Sequence, residues 1–159
     1  MKPPEPTTAR HDTFVIERRL KASPARVFAA WSTVEAKKKW FFGGEGWDEQ
    51  VRAFDFREGG VEELVGRKGS GTISRFHCEY WEIVPDRRIV YAYDMTMDGV
   101  RISVSLATIE TRPDGAGTHL LVTEQGTYLV PYDPHGDDHG SRLRGTEELI
   151  NRVVALFDG

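Results

Sequence analysis

The sequence predicts an α+β fold: a curved antiparallel sheet with one long C-terminal helix lying across it, and two short helices after the first strand. Three observations carry this. Several strand-like segments follow one another, each stopped by Pro, Asp or Gly where a tight turn needs them. The last twenty residues carry an apolar stripe at helical spacing. A helix-start signal, Ser23-Pro24, follows the first strand-like segment. Consecutive strands joined by tight turns pair antiparallel, and the runs of strands and helices are segregated along the chain, as in α+β domains.

The chain has 159 residues, enough for one domain with a sizeable core. Residues 1–12, with three prolines among the first six, are expected to form an extended or disordered tail. Residues 13–159 are expected to form a single domain. Thr13–Leu20 places Phe14 and Ile16 in alternation and predicts the first strand. Val27, Phe28 and Trp31 then fall at helical spacing behind Ser23. A second short helix is predicted over Val34–Lys39, ended by the glycines of WFFGGEGW. Six strands are expected within residues 51–60, 61–67, 71–84, 89–97, 101–112 and 118–129. The closing helix follows from Ser141, with Leu143, Leu149, Ile150, Val153, Val154, Leu156 and Phe157 on its stripe. Glu147 and Glu148 lie early and Arg152 late, which suits the helix dipole.

Composition excludes several functions. A formal charge of -4 leaves no basic excess to neutralise phosphates, so a nucleic-acid partner is not expected. No run approaches the ~20 apolar residues of a membrane span, and the first residues lack the apolar core of a secretory signal. The single cysteine, Cys78, excludes an internal disulfide and fits a reducing cytoplasm. It alternates with Phe76 and Tyr80, which predicts a buried, inert thiol. Lys37–Lys39 are expected to form a solvated helix face.

YLVPYDPHGDDHGSRLRG, residues 128–145, gathers Asp133, His135, Asp137, Asp138 and His139. The spacing matches neither a helical His-x-x-x-His zinc pair nor a calcium loop, and Gly136 and Gly140 argue against a helix through the two histidines. It is expected to be a solvated loop that borders a cavity mouth, and no metal is assigned.

A single helix over a curved sheet leaves room for a cavity wherever side chains do not fill the gap. Trp31 and Trp40 from the helical segment, and Phe54, Phe56, Tyr80, Tyr91, Tyr93 and Met95 from the strands, are expected to line it. Glu124 shares parity with Leu120 and Val122 and is expected to point inward, with Tyr128, Leu149 and Val153 bordering the same space. Asp94, His77 and His119 have the opposite parity to their apolar neighbours and are expected outside.

VFAAWSTVEAKKKWF, DFREGG, IVPDRRIVYAY, PDGAGTHLLVTEQG and GTEELINRVVALF together resemble the SRPBCC (START-like, helix-grip) superfamily. Within it they are similar to the bacterial branch named after the activator of the 90-kDa heat-shock-protein ATPase. The resemblance runs from Thr13 to Phe157 and implies a sheet that grips the C-terminal helix around a cavity for a small hydrophobic molecule. It implies binding more than catalysis. A cyclase- or hydrolase-like enzyme using the same cavity, and a chaperone partner, are the alternatives that it carries. No cofactor and no catalytic set are assigned. Many members have Trp where this chain has Thr146 after Gly145, a departure that would either widen the cavity mouth or be compensated by Trp31 and Trp40.

Overall fold

The computed structural model describes residues 9–129 and 138–157. Among these residues, seven strands and three helices form the predicted α+β arrangement. The order is β1 (Arg10–Leu20), α1 (Pro24–Ser32), α2 (Val34–Lys38), β2 (Trp47–Phe54), β3 (Val61–Lys68), β4 (Ile73–Val84), β5 (Arg88–Met97), β6 (Val100–Asp114), β7 (Gly117–Tyr128) and α3 (Asp138–Ala155).

The sheet runs β1-β7-β6-β5-β4-β3-β2, with every neighbouring pair antiparallel. β1 lies beside β7, so the two ends of the sheet sequence meet at one edge. Register shifts at Glu49/Val51, Tyr80/Glu82 and Met95/Thr96 mark bulges, which bend the strands and curve the sheet. The turn after β5 places Asp98 at φ 50° and Gly99 at φ 80°. Two successive residues with positive φ suit the right-handed twist of a two-residue hairpin. Asp98 ties this turn to the start of β4: its Oδ1 accepts the Ile73 N–H at 2.8 Å and its own N–H donates to the Ile73 carbonyl at 2.8 Å.

Local chemistry fixes the short helices. Ser23 Oγ accepts the Arg26 N–H at 3.3 Å and Thr33 Oγ1 accepts the Ala36 N–H at 3.1 Å, each satisfying an open donor at a helix start. α1 buries Val27, Phe28, Ala30 and Trp31 against the sheet's inner face. α3 buries Ile150 and Val153, with Leu143, Leu149, Val154 and Phe157 packed at the core's margin.

Several boundaries differ from expectation. β2 covers Trp47–Phe54 where a strand within residues 51–60 is expected, because its pairing with β3 runs from Trp47↔Lys68 to Phe54↔Glu62. β1 starts at Arg10, because pairing with β7 extends to Arg10↔Tyr128. α3 starts at Asp138, three residues before the expected Ser141, so its backbone takes in His139 and Gly140. One glycine near a helix start costs only about 1 kcal/mol relative to alanine. Leu156 lies past the end of α3 and is 39% exposed, off the apolar stripe. Asp133, His135 and Asp137 lie outside the described residues.

Candidate ligand-binding cavity

Antiparallel register decides which side chains face α3. On β5, Tyr91, Tyr93 and Met95 share the inner face; on β4, Phe76, Cys78 and Tyr80 do. Across the sheet, Tyr93 is opposite Ser105, and Ser105 is opposite Gly126. The end of the Tyr128 ring takes the room that these two small residues leave. Gly126 has a reason to lack a side chain: a Cβ there would lie 2.9 Å from Tyr128 Oη.

A cavity of about 410 Å³ lies between the inner sheet face, the α2–β2 segment and α3. Seven residues expected from sequence line it: Trp31, Trp40, Tyr91, Tyr93, Met95, Glu124 and Leu149. Phe76, Ile109, Val122 and Ile150 complete its apolar wall. Its exposed lining residues, Phe42, Gly43, Asp48, Glu49, Gly145 and Glu148, mark a mouth between the α2–β2 segment, β2 and α3.

The other five expected residues lie elsewhere. Phe54 and Phe56 stack with centroids 6.0 Å apart, and Phe56 meets Phe28 at 6.0 Å and Tyr80 at 5.1 Å. Those contacts fill the end of the sheet that α1 covers. Tyr128 is buried with its hydroxyl over Gly126, and Val153 is buried completely in the core.

One wall carries a connected polar group. Tyr93 Oη donates to Glu124 Oε1 at 2.6 Å, and the Thr146 hydroxyl donates to Glu124 Oε2 at 3.4 Å. Arg142 donates to Tyr93 Oη at 3.1 Å and to Ser103 Oγ at 2.7 Å, with its guanidinium over the Tyr93 and Tyr128 rings. Burial pushes the Glu124 carboxyl above its ordinary value, while the hydrogen bond from Tyr93, the Arg142 charge and the hydrogen bond from Thr146 pull the other way. Burial and the neighbouring carboxylate push the Tyr93 phenol up, so it stays a donor. The residue at the expected tryptophan position, Thr146, lines the cavity and holds this carboxylate.

The sign of the Glu124 shift makes a prediction. A carboxyl that binds its proton more tightly folded than unfolded adds stability that is complete below its ordinary value of 4.5 and is lost as pH rises through the raised native value. The stability of the wild type relative to Glu124→Gln therefore falls as pH climbs from 4.5, by at most about 1.4 kcal/mol per pH unit. Urea unfolding of both proteins from pH 4 to 8 measures this. A difference that is flat or rises with pH contradicts the assignment.

A second polar group was not expected. Lys37, which the sequence places among three solvated lysines, is 3% exposed and lines the cavity. Its Nζ lies 3.1 Å from Glu62 Oε1, 4.8 Å from the Trp40 ring centroid and 4.3 Å from that of Phe41. Glu62 is 1% exposed and also accepts the Tyr80 hydroxyl at 2.5 Å. Lys38 and Lys39 are exposed, so the solvated face is theirs alone. Cys78, paired across the ladder with Glu62, is buried as expected. Desolvation first, and then the Glu62 charge, push its thiol up to about 12, which leaves it a poor nucleophile.

Two arginines hold the mouth. Arg152 on α3 donates to the carbonyls of Trp40 at 3.1 Å and Phe42 at 2.8 Å, and its guanidinium lies 4.1 Å from the Phe42 ring centroid. Arg52 on β2 donates to the Phe41 carbonyl at 2.6 Å and pairs with Glu49, whose carboxyl its hydrogen bond holds below the ordinary value. The outer sheet face keeps the residues expected there: Asp94 is paired with Arg101 at 3.2 Å and His77 at 3.5 Å.

Solved structures share this arrangement. A Rhizobium leguminosarum protein is 40% identical, with TM-score 0.86, over 94% of this chain and 96% of its own. The Mll3558 protein of Rhizobium loti is 36% identical, with TM-score 0.85, over 94% and 99%. Protein CV1439 of Chromobacterium violaceum is 26% identical, with TM-score 0.74, over 92% and 97%. No curated protein matches the chain significantly. The family model for Activator of Hsp90 ATPase homolog 1-like protein matches residues 21–152. The chain belongs to that family, the branch of the SRPBCC superfamily that its motifs resemble.

Proposed function

We propose that this protein binds a small apolar or aromatic molecule in the cavity between the sheet and α3, as a soluble cytoplasmic binding protein. One observation carries this: an aromatic-walled space of about 410 Å³ meets a buried polar group, Glu124–Tyr93–Arg142, that is already internally bonded. The volume suits a ligand of two or three rings, within the ~300–1,000 Å³ of small-molecule pockets. Burial of the rings supplies affinity, and a ligand hydroxyl donating to Glu124 supplies orientation. No helix among the described residues is long and apolar enough to cross a membrane.

The enzymatic alternative rests on Glu124, whose raised carboxyl beside a phenol is the cavity's best placed acid or base. Binding is favoured because Tyr93 and Thr146 hold the carboxylate in place, while each of its oxygens keeps acceptor capacity for a ligand donor.

Titration with naphthalene and 2-naphthol, followed by tryptophan fluorescence, tests the proposal. Both probes are expected to saturate, with 2-naphthol the tighter, and Glu124→Ala is expected to remove most of that difference. If neither probe gives a saturable change, the cavity is not a ligand site of this class.

A further inference from the structure

The buried ion pair behind the cavity's other wall has no use in the function proposed above. Lys37 reaches the lumen; Glu62 does not line it and sits behind the lysine, braced by Tyr80. Taking such a pair out of water costs several kcal/mol, which good packing of apolar groups would avoid. The pair also shares no residue with the Glu124 group, which uses β5, β6, β7 and α3, whereas Lys37 is on α2 and Glu62 on β3.

An ammonium offers three N–H donors. Among the described residues, the partners of Lys37 Nζ are Glu62 Oε1 and the faces of Trp40 and Phe41. It thus presents donor capacity to the cavity, whose lining guanidiniums are already committed: Arg152 to the Trp40 and Phe42 carbonyls and Glu148, and Arg142 to Tyr93 and Ser103. The occupant's own charge follows from the surroundings. Glu62 already neutralises Lys37, and its Oε2 is buried with no hydrogen-bond partner among the described residues. The two ring faces are also electronegative. A carboxylate placed at Lys37 would meet this excess of negative potential, whereas a neutral acceptor would meet only the N–H.

We propose that Lys37 is a second anchoring point in the cavity and takes a neutral carbonyl oxygen, so that the ligand is an aromatic or apolar ketone or aldehyde. Glu62 and Tyr80 are positioning residues that hold the ammonium at the wall. The assignment rests on the cavity being a ligand site, and it narrows the ligand from any apolar molecule to one with a carbonyl acceptor.

Three probes of one size test it on the full chain: 2-ethylnaphthalene, 2-acetylnaphthalene and 2-naphthoate. The acetyl compound is expected to bind about tenfold more tightly than the ethyl compound, the gain of one hydrogen bond from a charged donor. The naphthoate is expected to bind more weakly than the acetyl compound. The infrared carbonyl band of bound 2-acetylnaphthalene is expected to move to lower frequency, and the tenfold preference to vanish in Lys37→Met. Should that variant fold poorly with Glu62 unpaired, the double variant Lys37→Met with Glu62→Gln removes both charges and gives the same reading.

Equal binding of the ethyl and acetyl compounds to the wild type overturns the role of Lys37 and leaves the cavity as a ligand site. Preferred binding of the naphthoate overturns the neutral-acceptor assignment. Binding of none of the three removes the ligand site and the anchoring point together.

Discussion

Lys37→Ala is expected to destabilise the protein by about 3–5 kcal/mol, the cost of leaving one partner of a buried ion pair alone. Glu62 would remain 1% exposed, with its carboxylate held by the Tyr80 hydroxyl and no cation beside it. Lys38→Ala and Lys39→Ala, at exposed neighbouring positions, are expected to stay within about 0.5 kcal/mol of the wild type. Urea unfolding measures all three, and the loss should appear as a lower midpoint with an unchanged slope. If Lys37→Ala unfolds with Lys38→Ala, the ion pair contributes nothing measurable, and Lys37 is a surface residue in solution.

Trp31→Ala is expected to cost about 3–5 kcal/mol as well, through lost burial and a larger void. Trp31 is 2% exposed and meets Trp40 edge-to-face at 5.2 Å, while the Trp40 indole N–H is held by the Ala30 carbonyl at 2.8 Å. Its removal therefore loosens both the core and one wall of the cavity. Phe42→Ala is the control: that ring is 41% exposed at the mouth, and its loss is expected to cost less than about 1 kcal/mol. Equal midpoints for the two variants would mean that Trp31 does not sit between α1 and the sheet as described.

The fold was legible because its signals are local and agree with one another. The Asp98-Gly99 turn, the Ser23 cap and the alternation on β4 and β7 each carry their own physical reason, and together they leave one arrangement of strands. The site was legible where side-chain parity decides it. Tyr91, Tyr93, Met95 and Glu124 follow from alternation alone.

Depth along a strand is not written in parity. Tyr80 shares a face with Cys78, yet it lies at the end that Phe56 and Phe28 fill, and that is a property of how α1 packs. Lys37 was missed because three lysines in a row look like a charged surface. A signal was present: Val34, Lys37, Trp40 and Phe41 fall at i, i+3, i+6 and i+7, one face of a helix and its continuation. Glu62 was hidden differently. Apolar alternation on β3 favours Val61 and Val65 as the inner residues, but Val61 is 38% exposed and Glu62 is buried. Only pairing with Cys78 on β4 fixes which face looks inward. Arg142 and Arg152 act through contacts with sequence-distant partners, which no local pattern announces.

The four tryptophans offer the most direct test of the cavity as a ligand site. Trp31, Trp40 and Trp47 line it, whereas Trp81 is 63% exposed and outside its lining. A ¹H–¹⁵N spectrum resolves the indole N–H of each, and titration with 2-naphthol reads all four at once. Saturable shifts of the Trp31, Trp40 and Trp47 indoles with Trp81 unmoved are the predicted result. Shifts confined to Trp81, or none at saturating probe, would contradict it.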